Sequence, residues 1–384
     1  MKKVICAAAA FMMVAGVATV ASAEVKLGGD ARARLIYKDN GVKDSYSKWD
    51  SRFRVVLAAS TESGVFGKAR LRFLDGKWDG SGAYKPSGKV ATTTTTVQNA
   101  AGEDVEVVTG QTNNNVWSDY AYLGFKKGAF SVSAGRQPTN FSKWMAWDGR
   151  ADRLAVGYKA DGTVVVYTYD QKTETDDLND DKFVHGVTFK QKLSDTMKMA
   201  VRAVYVMDEK NDDRDGAKGS VNLGMNFGGN KITVEQTWIA GDVLAAGADD
   251  AFGGYASWSA NLGSVTPTVM VGYTKDGFKV DDDFGWIMIG GAWGITEVAQ
   301  IGQGGDTTFV GATADMDVSE VLSLQGNLVY MDVDSVLDDT VVEVSGKASY
   351  KVVKGADLSL KVGYLDYADS EGVLNGVVRL DVNF

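Results

Sequence analysis

The sequence predicts an all-β protein: a transmembrane antiparallel up-and-down β-barrel that crosses its membrane on strands. Three observations carry that expectation. Apolar and polar residues alternate with period two nearly from end to end, as in strands with one dry and one wet face. The segments between these ribbons are alternately short and long, the rhythm of tight turns on one rim and loops on the other. Aromatic residues such as Tyr37, Trp49, Phe125, Phe130, Trp238, Tyr330 and Tyr364 sit near the ends of the apolar faces, where interfacial girdles place them.

The elements follow in order. Residues 1–23 read as a secretory signal: Lys2 and Lys3 form a basic start, 4–20 is apolar or small, and Ala21-Ser22-Ala23 supplies a cleavage pattern. The remainder, 24–384, is expected to be one barrel, because only 3 prolines occur and no linker composition divides it. In the first ribbon Val25, Leu27, Ala31, Ala33, Leu35 and Tyr37 alternate with Lys26, Asp30, Arg32 and Arg34. In the last, Leu374, Val378, Leu380, Val382 and Phe384 oppose Asn375, Arg379, Asp381 and Asn383. Between them lie ribbons near 48–61, 67–76, 116–126, 129–136, 151–160, 162–170, 181–193, 197–208, 218–228, 231–240, 252–262, 265–274, 306–316, 320–331, 340–351 and 356–367. The count is 18, an even number; 16 is the alternative, because 151–160 is weakly patterned. The sheet must close, since an open edge in lipid leaves N–H and C=O groups unpaired. Long outer segments are expected at 77–115, which includes a five-threonine run, and at 137–149 and 275–305.

The inner face carries the chemistry. Arg32, Arg34, Arg52, Arg54, Lys68, Arg70 and Arg72 all fall opposite the lipid-facing residues of the first three strands. Strands ~4.8 Å apart would merge them into one positive patch. Such a patch needs water or counter-charges beside it. Two readings stay open: a wall that attracts carboxylates or phosphates, or a patch neutralised by an inserted loop that it holds in place. Later strands offer small polar residues, among them Ser257, Thr268, Asn327 and Ser345, which suit a wet lumen.

The segment 122–137, YLGFKKGAFSVSAGRQ, resembles the stretch of Gram-negative outer-membrane porins that leads into their inward-folded third loop. Tyr122, Gly124, Lys126, Gly128, Phe130, Gly135, Arg136 and Gln137 carry the likeness. The resemblance implies a water-filled channel for passive diffusion of small hydrophilic solutes and ions, an anion preference being the finer expectation. It implies that 137–149 constricts the pore, with Arg136, Trp144, Trp147 and Asp148 among the lining residues. The third loop departs from the family in offering only Asp148 as an acid. Phe384 resembles the terminal aromatic read by the barrel-assembly machinery. Implied partners are outer-membrane lipid, lipopolysaccharide and further copies in a homotrimer. A channel selective for sugars or oxyanions is the alternative, and Trp144 and Trp147 could either stack on sugar rings or pack the loop against the wall. A plugged barrel for structure or surface interaction is the third reading, with 286–293 as the segment able to enter the lumen.

Other classes fare poorly. Removing Lys2 and Lys3 from 40 basic residues leaves 38 against 50 acidic, a net −12 that disfavours nucleic-acid binding. Cys6 lies in the signal, so neither a disulfide nor a thiolate metal site is expected. His185 is the only histidine and sits with Phe183 and Val187 on an apolar face. No nucleophile elbow or zinc-binding helix motif occurs, and neither enzyme activity nor cofactor nor metal is expected. Asp-rich outer segments, including Asp212, Asp213 and Asp215, suit solvated loops better than a calcium site.

Overall fold

The computed structural model describes residues 23–39, 45–78, 93–98, 104–109, 116–145, 149–173, 181–209, 214–245, 247–281, 284–292, 294–334, 339–367 and 372–384. Each expected ribbon forms a strand. In chain order the strands are β1 (Ala23–Lys38), β2 (Tyr46–Thr61), β3 (Val65–Lys77), β4 (Thr93–Gln98), β5 (Asp104–Thr109), β6 (Trp117–Lys127) and β7 (Phe130–Pro138). They continue as β8 (Arg150–Ala160), β9 (Thr163–Thr173), β10 (Lys182–Lys192), β11 (Met197–Asp208), β12 (Gly216–Phe227), β13 (Asn230–Ile239) and β14 (Ala251–Ala260). The last are β15 (Val265–Lys275), β16 (Asp306–Asp317), β17 (Leu322–Asp334), β18 (Asp339–Val353), β19 (Ala356–Tyr367) and β20 (Val373–Asn383). β4 and β5 pair only with each other, as a hairpin inside the long segment 77–115 where the sequence suggested a plain excursion. The other 18 form one antiparallel sheet, in which β3 joins β6 and β20 returns to β1. The barrel is therefore closed, with 18 strands and not 16.

Alternation sorts the side chains as expected. On β17, Leu328 and Tyr330 point outward and are exposed, whereas Val329 and Met331 point inward and are buried. No described helix is long and apolar enough to cross a membrane. The outer surface is instead a belt of exposed Val, Leu, Phe, Tyr and Trp side chains. His185 lies on this outer face beside two tyrosines, Nδ1 being 2.8 Å from the Tyr167 hydroxyl. At the β8–β9 turn, Asp161 (φ 48°) and Gly162 (φ 79°) both take positive φ, the two-residue hairpin geometry that matches strand twist.

The closing seam is built around the terminal aromatic. Gly29 N–H donates to the Phe384 carbonyl at 2.9 Å, and Phe384 N–H returns a bond to Gly29 at 3.2 Å. The Phe384 ring stacks on Phe53 with centroids 5.8 Å apart. A Cβ at position 29 would lie 2.6 Å from the end of that ring, so only glycine leaves room for it.

The main hydrophobic cluster lies inside the barrel. Residues Phe278, Phe284, Ile287, Met288, Ile289 and Ile301 of the 276–305 segment pack on inward-facing Phe309, Val329, Met331, Val341 and Leu365. Along 328–331 of β17 both faces are apolar, one toward lipid and one toward this inserted loop. Interior filling by a loop explains that pattern, as continuous apolar runs mark strands covered on both sides.

Candidate permeation site

Strand parity brings Arg32, Arg34, Arg52, Arg54, Arg70 and Arg72 together with Asp30 and Asp50 on the inner wall of β1–β3, and two bulges bring in two further acids. The β2–β3 register shifts between Phe53 and Arg54, and the β3–β6 register shifts between Arg70 and Leu71. A bulge inserts one residue and reverses facing beyond it, which re-aims Asp75 and Asp119 inward. Arg34 binds Asp50 through two bonds, of 2.7 and 2.6 Å. Arg54 lies 2.9 Å from Asp30, and Arg52 3.3 Å from the same carboxylate. Asp119 accepts from Arg70 Nε at 2.5 Å and from Arg72 at 3.2 Å, and Arg150 lies 3.3 Å away. Arg72 also pairs with Asp75, while Arg32 stands 3.8 Å from both Asp50 and Asp75. Among the described residues the patch thus joins seven arginines to four aspartates, with more guanidinium groups than carboxylates.

A second basic arc continues on β8–β12. Arg153 binds Asp170 at 2.5 and 2.7 Å. Arg202 has its guanidinium 5.7 Å from the Phe141 ring, and Lys172 and Lys218 share its inner face. No ion pair among the described residues engages Arg202 or Lys172. Facing these arcs are the two inward loops. The 139–149 loop drives Trp144 to complete burial among Tyr255, Phe278 and Phe284, with ring centroids 5.1, 5.6 and 4.8 Å away. The 276–305 loop lines the wall from β14 to β20, and Asn375 of β20 donates to its Thr296 carbonyl at 3.2 Å. One side of the lumen is a packed apolar mass, and the other is a charged wall.

Searches of family models and of curated proteins return no match to this sequence. Solved structures do match. The fold is similar to that of Pseudomonas aeruginosa OpdQ, with TM-score 0.66 and 11% identity, covering 94% of this chain and 99% of that one. It is also similar to P. aeruginosa OpdK, solved with vanillate, with TM-score 0.63, 12% identity and coverage of 94% and 98%. Acinetobacter baumannii OccAB1 matches with TM-score 0.63, 13% identity and coverage of 94% and 96%. The chain has the outer-membrane porin fold. A closed barrel of this fold, belted outside by apolar and aromatic side chains, resides in the outer membrane.

Within the porin fold the expected site residues separate. Arg32, Arg34, Arg52, Arg54, Arg70 and Arg72 converge as described. Lys68 lies lower on the same wall, its ammonium 5.7 Å from the Tyr120 ring. Arg136 does not line the lumen. It shares parity with outward Phe130 and lies 3.8 Å from Asp152, both side chains being exposed on the outer surface. Counting two residues back from Arg136 reaches Ala134 and then Val132, all on the lipid side, and no bulge intervenes to reverse that face. Trp144 is likewise no pore-surface residue: it packs its loop into the apolar cluster, one of the two roles left open for it. Trp147 and Asp148 lie outside the described residues, as do Asp212, Asp213 and most of the acidic outer segments.

Sequence reasoning passed over several lumenal residues. Asp30 and Asp50 share the arginines' parity and were legible, whereas Asp75 and Asp119 are not, because their facing depends on bulges. Arg153 and Arg202 follow plain alternation on β8 and β11. Glu235 and Glu343, both buried in the inner wall, carry no pattern that distinguishes them from solvated strand acids.

Proposed function

We propose that this barrel is a passive channel for small hydrophilic solutes that favours anions, and small organic carboxylates above all. The observation that carries this reading is the surplus of arginine over aspartate on the β1–β3 wall, extended by the second basic arc. Fixed positive charges in a narrow aqueous passage raise the local concentration of anions and lower that of cations. The aspartates hold the guanidinium groups in place, so that an entering carboxylate meets a preset row of planar, bidentate donors. OpdK is solved with vanillate, itself a carboxylate, which agrees with a ligand of this class. Phe384, closed into the seam, is assigned to assembly and not to transport.

The test compares gluconate with glucose, solutes of similar size and different charge, by entry into liposomes holding the refolded protein. Faster entry of gluconate at low salt, with the difference lost at high salt, is expected. Equal rates at low salt would defeat the anion preference and leave an unselective pore. A second reading, a plugged barrel, draws on the apolar mass that the two loops build inside the lumen. Folded protein that admits neither solute would favour it.

A further inference from the structure

Two carboxylates buried in the inner wall take no part in the arginine surface, and each grips one inward loop. Glu235 on β13, 1% exposed, accepts hydroxyl bonds from Ser142 of the 139–149 loop at 2.6 Å and from Ser220 at 2.7 Å. Asn222 Nδ2 donates to its other oxygen at 2.9 Å. Glu343 on β18, 0% exposed, accepts the consecutive backbone N–H groups of Ile287, Met288 and Ile289 at 3.0, 3.1 and 2.7 Å. The Ser345 hydroxyl donates to it as well.

We propose that Glu235 and Glu343 are positioning residues that hold the two loops as one rigid strut across the lumen and thereby fix the bore. The proposal rests on the channel reading given above. Apolar contact alone is non-directional and would let the loops slide along the wall. Three successive amides on one carboxylate admit a single register. A buried carboxylate left without those donors is costly, so the loop cannot leave without a penalty.

The attachment at Glu343 reaches further through side chains. Trp286 Nε1 donates to the Thr313 hydroxyl at 3.1 Å, and Thr313 donates to Asn327 Oδ1 at 2.9 Å. Asn327 Nδ2 then donates to Ser345 at 3.0 Å, which returns the chain to Glu343. Both the backbone of 287–289 and the neighbouring Trp286 ring therefore join one saturated network across β16, β17 and β18. The two loops also bind each other. Asp281 N–H donates to the Trp144 carbonyl at 3.2 Å, and the Trp144 ring meets Phe278 and Phe284. A continuous bridge thus runs from Glu235 through both loops to Glu343, and freeing one end loosens the other.

The experiment uses the full refolded barrel with Glu235→Ala and Glu343→Ala, read in two ways. Single-channel recording in a planar bilayer reports the bore, and amide hydrogen exchange resolved by mass spectrometry reports the 287–289 segment. Thr237→Val is the control, since its hydroxyl is buried on β13 without a hydrogen-bond partner. Each glutamate variant is expected to lose the single conductance level, giving larger and noisier currents, while Thr237→Val records like wild type. Exchange at 287–289 should rise in Glu343→Ala. Unchanged exchange with wild-type current steps in both folded alanine variants would overturn the proposal. If wild type itself carries no current, the channel reading fails, while the exchange arm still decides whether the strut exists. Should the alanine variants not assemble, Glu343→Gln, which keeps one acceptor oxygen, is read in the same two assays.

Discussion

Replacing Arg32, Arg52 and Arg150 together with glutamine removes three positive charges from this wall while leaving every aspartate a close partner. Arg34 keeps Asp50, Arg54 keeps Asp30, and Arg70 and Arg72 keep Asp119 and Asp75. An anion passing ~8 Å from three unit charges in water is stabilised by about 1.6 kcal/mol from Coulomb's law. Screening with a Debye length of about 10 Å at ~0.1 M salt reduces this to about 0.7 kcal/mol. A cation is disfavoured by the same amount, so the two differ by about 1.4 kcal/mol, a permeability ratio of roughly ten. The reversal potential in a planar bilayer under a salt gradient reads that ratio. Wild type should be anion-directed at low salt, and the triple variant should lose roughly that tenfold factor, keeping only the bias contributed by Arg202, Lys172 and Lys218. At ~1 M salt, where the Debye length is about 3 Å, the two proteins should converge. A triple variant that keeps the wild-type reversal potential would refute the reasoning, because permeating ions would then not sense the β1–β3 surplus.

Further outcomes follow from packing and from the lipid face. Trp144→Ala empties the centre of the lumenal cluster and should cost about 3–5 kcal/mol of loop docking. Trypsin cleavage of the 139–149 segment near Lys143 in folded protein is the measurement, and continued resistance would count against the loop's being held by this side chain. Leu360→Arg puts a charge into the outward apolar belt of β19 and should destabilise the barrel by about 2–4 kcal/mol. A urea midpoint in lipid vesicles equal to that of wild type would mean the position does not meet lipid. Gly29→Val would drive a side chain into the Phe384 ring and should abolish the heat-modifiable folded band on electrophoresis. Normal folding of that variant would show that the seam tolerates looser packing.

Much of the barrel is legible in the sequence because membrane crossing imposes one rule on every strand. Val378, Leu380 and Val382 must face lipid, so Arg379 and Asp381 face inward, and the same rule counts the 18 strands of the barrel sheet. Arginine convergence on β1–β3 follows from the same parity. What sequence hides is any facing that a bulge reverses. Asp75 and Asp119 occupy positions that simple alternation assigns outward, so the patch reads as more basic than it is. Arg136 fails for the opposite reason: its resemblance to a loop motif outweighed the plain alternation that puts it outside. The inserted 276–305 loop left two readable signs: the apolar stretch 286–293, and the inward Val329, Met331 and Val333 of β17, which no single-faced strand needs on its wet side. The anchors Glu235 and Glu343 left none. A carboxylate that binds backbone amides of a distant loop depends on the loop's conformation, and no strand periodicity encodes that.

The β1–β20 seam sets the order of events in biogenesis. Asp39 and Asn375, joined across that seam, lie 336 residues apart. Nothing can satisfy the exposed edge of the first strand until the last strand has been delivered. Local hairpins can form early, yet the ring is incomplete until its most sequence-distant pairing is made, the step that loop-closure entropy slows most. During that interval the chain carries two sticky edges and an unsheltered apolar belt. A chain in that state is open to edge-to-edge association, and its slowest folding step should track the pairing of β20 with β1 and not the formation of any hairpin within the sheet.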